Sequence, residues 1–171
     1  LPYSVGLLQA YCQTIDRIDD SFAFKELIYL RDDPDTVAQR LEDPKVVGLS
    51  CYIWNWEWNI AFAKRIKEYH PKCLVILGGP QVPVKSLEFF AEYPVIDILV
   101  HYEGELAFSE ILLEYLNESP DYTRIEGISV QVDENRCYQT PARGRLVDVD
   151  SMPSPYLTGV FAELMKGPYT F

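Results

Sequence analysis

Three short stretches hold most of the groups that could act on a ligand. The first, CYIWNWEWN at 51–59, contains all three tryptophans of the chain, Trp54, Trp56 and Trp58, directly after the hydroxyl of Ser50. Aromatic faces gathered this way suit a flat, largely apolar guest. Within it, Asn55 stands where a side chain caps a following helix, and Glu57 falls in the favourable first turn. Trp58 continues the apolar face of that helix and reads as core, whereas Trp54 and Trp56 divide between packing and ligand contact. The second stretch, Gly78-Gly79-Pro80, is a turn whose glycines let a backbone come close to a guest. The third, His101-Tyr102-Glu103-Gly104-Glu105, puts two carboxylates beside a histidine at a helix start. Paired carboxylates can do acid–base work, but no nucleophile, aligned base or metal-ligand cluster completes a catalytic set. That loop reads as a helix cap. His101 is a lone candidate for touching a cofactor or metal, and His70, beside Pro71, reads as a helix C-terminal cap.

Other chemistries lose their support. Neither G-x-G-x-x-G nor G-x-x-x-x-G-K-[ST] occurs, which removes the main signal for a dinucleotide or nucleoside triphosphate. The four cysteines, Cys12, Cys51, Cys73 and Cys137, form no C-x-x-C pair and read as buried reduced thiols. The net charge of −11 is spread over clusters at 16–20, 31–35 and 133–134, which read as solvated loops and helix ends. Such a surface repels a phosphate backbone, so no nucleic-acid partner is expected. No apolar run reaches membrane-spanning length and residues 1–20 lack the layout of a secretory signal, so the expected setting is cytoplasmic, with no membrane partner.

The elements that must position these stretches alternate. Helical spacing at Leu7, Leu8, Tyr11, Ile15 and Ile18 predicts an opening helix. Phe24 to Leu30 reads as a strand, and Asp33 or Asp35 caps a helix that runs through Leu41. The apolar runs 46–50 and 73–77 read as strands buried on both faces, and 95–100 as a further strand. Between and after them come helices with apolar faces Trp58, Phe62, Ile66 and Tyr69, then 86–92, then 105–116 with Phe108, Ile111, Leu112 and Tyr115. This alternation predicts an α/β fold with a doubly wound parallel sheet of four or five strands and helices on both faces. Period-two alternation at 127–132 and the polar turn at 133–136 predict a β-hairpin, after which an irregular connector begins at Pro141. Ligands of such sheets bind beyond the carboxyl ends of the strands, where the three stretches converge.

The stretches LPYSVGLLQAY, VVGLSCYIWNWEW, LVILGGPQVP, DILVHYEGE, and IEGISVQV with MPSPYLTG, in this order, resemble the amino-terminal part of cobalamin-binding radical S-adenosylmethionine enzymes. The resemblance runs from residue 1 to about 160. It implies a flavodoxin-like (Rossmann-like) cobalamin-binding domain at 1–120 whose first strand lies upstream of Leu1, a hairpin extension at 121–140, and a linker at 141–171. The linker would lead to a radical SAM barrel with a [4Fe-4S] cluster and S-adenosylmethionine. It further implies that the intact enzyme is a methyltransferase with cobalamin as methyl carrier, and that this stretch alone does not catalyse the transfer.

By the same resemblance the cofactor-binding residues are Pro2 and Tyr3; Ser50, Tyr52, Ile53, Trp54, Asn55 and Trp56; Gly78, Gly79, Pro80 and Gln81; and His101, Tyr102, Glu103, Gly104 and Glu105. Tyr102 stands where the family has the first glycine of its Gly-Glu-Gly-Glu stretch. No Asp-x-His-x-x-Gly occurs in the 171 residues, so the corrinoid is expected without a cobalt histidine, its lower face walled by aromatic side chains. The alternative is the same fold with the corrinoid site lost, serving as a substrate-docking or scaffold module. A flavin or nucleotide domain would need a phosphate-binding glycine loop that is not present.

Overall fold

The computed structural model describes residues 1–133, 136–145 and 148–167. One sheet carries the fold, with strands in the order β1 (Val46–Ser50), β2 (Leu74–Gly78), β3 (Ile98–Val100), β4 (Ile128–Asp133), β5 (Arg136–Gln139). The first three are parallel and the last two antiparallel, so the hairpin is continuous with the sheet, with Leu99 opposite Ser129. The expected turn residues 134 and 135 lie outside the described residues.

The helices are α1 (Tyr3–Cys12), α2 (Asp16–Asp19), α3 (Pro34–Gln39), α4 (Trp56–Tyr69), α5 (Ser86–Glu92) and α6 (Glu105–Tyr115). Successive strand residues point to opposite faces, and the two cores follow that alternation. Leu49, Val75, Leu77 and Leu99 pack with Val37, Ile60, Phe62, Ile66 and Phe90, the side of α3, α4 and α5. Ile76, Ile98, Val100 and Ile128 pack with Ala107 and Ile111 of α6. Helices therefore cover both faces, as the alternating sequence predicts.

Three local expectations change. Residues 23–30 form no strand, and Ile28, Tyr29 and Leu30 are exposed. β1 pairs only with β2 among the described residues, and a run of strand-forming residues without a ladder partner leaves its backbone groups to solvent. The opening helix breaks at Gln13, and its buried stripe is Gly6, Ala10 and Cys12 rather than Leu7 and Leu8. Small residues there admit Phe161, which is fully buried although it belongs to the predicted connector. A Cβ on Gly6 would stand 2.3 Å from Phe161 Cζ. Strand 95–100 shortens to Ile98–Val100, preceded by Asp97. Its Oδ2 accepts from Val75 N at 2.6 Å and from Lys67 Nζ at 2.6 Å, and Lys67 also donates to Cys73 O at 2.8 Å. This joint fastens α4 to the starts of β2 and β3.

Asp33 caps α3 as expected, accepting from Thr36 N at 2.9 Å, and that backbone bond lowers its pKa. His70 is the C-cap residue of α4, with its ring 3.3 Å from Ala38 O.

Cys12, Cys51 and Cys73 are buried and free. Burial pushes their thiols up to about 12, 11 and 11. Above pH ~8.5 the unfolded chain loses these protons while the folded chain keeps them, so the unfolded state binds fewer. Stability is therefore expected to fall as pH rises from about 9 toward 12. Urea melts at pH 7, 9 and 10.5 check this. Ellman's reagent at pH 8 should meet Cys137, which is half-buried, well before the other three. Equal reaction rates for all four thiols in the native protein would contradict it.

Candidate functional site

Because β1, β2 and β3 are parallel, their carboxyl ends bring Ser50, Gly78 and Val100 to one edge. The first two loops are tied by backbone bonds: Cys51 N donates to Gly78 O at 2.7 Å and Gln81 N to Cys51 O at 3.3 Å. Gly79 has φ +104°, and a Cβ there would stand 2.6 Å from Cys51 O, so only glycine fits. Pro80 is exposed in the same turn. Asn55 does not cap α4 through its side chain. Its Oδ1 accepts from Tyr52 N at 2.8 Å and its Nδ2 donates to Ser50 O at 2.9 Å, which clamps the loop after β1 instead. Asn59, not anticipated from sequence, donates to the same Ser50 O at 3.1 Å and to Cys51 Sγ at 2.9 Å. Its signal was a buried polar position on an otherwise apolar helix face.

The tryptophans separate. Trp54 is 64% exposed and stacks on Tyr52 with centroids 4.6 Å apart and planes 11° from parallel, beside exposed Ile53. Trp56 turns toward α5, edge-to-face with Phe89 at 6.0 Å and Tyr93 at 5.9 Å. Trp58 stacks on Phe62 and its indole N–H donates to Asp32 O at 2.6 Å.

His101 ends β3 and is held from behind. Ser86 Oγ donates to Ser129 Oγ at 2.7 Å, and Ser129 Oγ lies 2.8 Å from His101 Nε2. The Ser129 hydroxyl, with a second lone pair and its own proton, can pair with Nε2 in either ring tautomer. Burial lowers the His101 pKa, so the ring is neutral at pH 7. Nε2 is thereby hydrogen-bonded within the protein. Ser86 and Ser129 were not singled out from the sequence, since neither has a local motif.

Tyr102 adopts φ 61° and is 82% exposed. A left-handed non-glycine residue costs about 1–2 kcal/mol, and glycine's extra unfolded-state entropy offsets about 0.5–1 of it. Tyr102→Gly is therefore expected to stabilise the fold by about 0.5–1 kcal/mol, read as a rise in urea midpoint; a fall would contradict the strain. Glu103 is exposed, and Gly104 precedes α6, with Glu105 in its first turn. The space by Glu103, Glu105 and Arg143 is about 10 Å³, room for a single water. Arg143 donates to Glu110 through both terminal guanidinium nitrogens. Pro2 and Tyr3 start α1, whose Ser4 Oγ lies 3.1 Å from Ser50 Oγ; a Cβ on Gly104 would meet Leu8 of the same helix at 3.5 Å. No group of three His, Cys, Asp or Glu among the described residues could hold a metal. No helix among them is long and apolar enough to cross a membrane.

The B12 binding domain family matches residues 25–112, just over half of the chain and the span from the unpaired segment through α6. The chain belongs to this family. The chain is also 43% identical over 160 residues to the 2-(S-pantetheinyl)-carbapenam-3-carboxylate methyltransferase of Streptantibioticus cattleyicolor, covering 94% of this chain and 23% of that protein. It is 39% identical to the cobalamin-dependent radical SAM methyltransferase TokK of Streptomyces tokunonensis, with the same coverage of 94% and 23%. An uncharacterized methyltransferase of Pyrococcus horikoshii is 30% identical over 113 residues, 66% of this chain and 24% of that one. The domain spans about a quarter of the length of the curated relatives it matches.

Proposed function

We propose that this domain binds cobalamin at the carboxyl edge of β1, β2 and β3, as part of a longer cobalamin-dependent radical SAM methyltransferase, without a protein histidine on cobalt. The observation that carries the reading is the Tyr52–Trp54 stack, with Trp54 exposed, in the loop leaving β1 at the shared strand edge. A corrin is flat and rimmed with amides; the edge offers flat aromatic faces after β1 and the half-buried His101 after β3, its Nε2 hydrogen-bonded to Ser129. The names of two relatives, both methyltransferases and one cobalamin-dependent, support the same reading. When bound, cobalamin would supply a transferable methyl group. The chain's own residues would hold and orient it: Ser50, Tyr52, Ile53 and Trp54 beside the ring, Gly78, Gly79, Pro80 and Gln81 beside the tail, and His101 to Glu105 and Pro2 and Tyr3 around them. In the longer protein a barrel with a [4Fe-4S] cluster and S-adenosylmethionine would face this edge, and cytoplasmic residence would suit such a cluster.

One observation favours a second reading, a domain that docks substrate or partner without corrinoid. Ser4 and Leu8 of α1 pack against Ser50 and Gly104, which narrows the edge where the corrinoid would sit. Mixing the chain with hydroxocobalamin, followed by gel filtration and a visible spectrum, separates the two. Corrinoid colour is expected to co-elute with the protein, and complete loss of colour would leave the second reading. After reduction to cob(II)alamin, the electron paramagnetic resonance spectrum should show no nitrogen splitting from a protein imidazole and should be unchanged in His101→Ala.

A further inference from the structure

On the α4–α5 side of the sheet, away from α1 and α6, lies an open groove of about 420 Å³. Trp56, Phe89 and Tyr93 form its floor, with Phe89 and Tyr93 centroids 4.9 Å apart. Glu57 from the first turn of α4 and Glu92 from the last turn of α5 stand on its rim. Neither forms an ion pair among the described residues. Both charges reach the Tyr93 phenol, whose pKa is raised first by its hydrogen bond to Glu92, then by burial and by the charges of Glu92 and Glu57. Glu57 is favoured where it sits, at a helix start, but Glu92 adds a negative charge to the negative end of α5. Two carboxylates without an ion-pair partner among the described residues, beside aromatic rings, make a field that attracts a cation and repels an anion.

We propose that this groove binds a small organic cation with an alkylammonium head, seated against Trp56 and Tyr93 and between Glu57 and Glu92. Aromatic rings draw the positive head by their quadrupoles and accept its methyl or methylene groups by dispersion, while the rim carboxylates balance its charge. The volume suits one small molecule. The inference does not require the corrinoid: the groove borders the edge only at Ile53, Trp56 and Gln81, and its test is run without cobalamin.

The test is a titration of the full ¹⁵N-labelled chain with choline, read from amide and indole cross-peaks, in parallel with 3,3-dimethyl-1-butanol, which has the same shape without the charge. Saturable shifts are expected at the Trp56 indole and at Ile53, Glu57 and Tyr93, with the uncharged analogue binding about tenfold more weakly. The double substitution Glu57→Gln and Glu92→Gln changes two exposed side chains and should weaken choline about tenfold while leaving the uncharged analogue unaffected. Shifts that do not saturate, equal binding of the two probes by the unsubstituted chain, or undiminished choline binding by a double variant with a native amide spectrum would each overturn the proposal.

Discussion

Phe161→Ala is expected to lower stability by about 3–5 kcal/mol, because a fully buried phenylalanine is replaced by a cavity. For a chain of this length that corresponds to a fall in Tm of about 10 °C. The ring is held on two sides, by the Gly6 notch in α1 and by Tyr156, edge-to-face at 5.1 Å. Tyr156 in turn lies 6.3 Å from Tyr3, so the segment after Pro153 is fastened to the helix that packs against Ser50. Gly6 supplies an internal check with a change of sign. In the unsubstituted protein Gly6→Ala drives a methyl into the Phe161 ring and should cost about 1–3 kcal/mol. In a Phe161→Ala background the clash is gone, and the same substitution should gain up to about 1 kcal/mol from helix propensity. Thermal melts of the four proteins decide it; additive effects would mean that the ring does not sit against α1.

Gly79→Ala carries the second large effect, about 3 kcal/mol of lost stability and, under the proposed cobalamin binding, weaker corrinoid capture. Its φ of +104° is unfavourable for any side chain, and the new Cβ would meet backbone atoms, Cys51 O at 2.6 Å and Cys51 N at 2.9 Å, which cannot rotate away. Relief must come from parting the loops after β1 and β2, breaking Cys51 N to Gly78 O and Gln81 N to Cys51 O. Gly78 next door is the control. A Cβ there would meet only Val100 at 3.7 Å, an ordinary contact, so Gly78→Ala should be tolerated. Urea unfolding and amide exchange at Cys51 and Gln81 measure the difference. If the two alanine variants prove equally stable, the tie between the loops is not what glycine at 79 protects.

Periodicity and punctuation made the scaffold legible. The β-branched runs at 46–50 and 74–77, the strand-to-turn step at Gly78-Gly79-Pro80, the cap at Asp33 and the alternating hairpin all depend on neighbours a few residues away, and each appears where local chemistry puts it. The parallel order of β1 to β3 follows from helices between strands, and with it the edge that gathers Ser50, Gly78 and His101. The identity of the family was legible too, from five stretches in order.

What the tertiary structure decided depends on partners far along the chain. Phe24 to Leu30 has strand-forming residues but no ladder partner, so propensity alone did not make it a strand. Asn55 looked like a cap, yet the free N–H of Tyr52 and the carbonyl of Ser50 bound its amide first. His101 stands alone among its sequence neighbours, and its Nε2 finds its partner in Ser129, 28 residues on. The three tryptophans, two residues apart, met a solvent edge, a groove wall and the face of Phe62. Spacing places a side chain on an element, but its surroundings belong to whichever distant element packs there, and no local pattern carries that information.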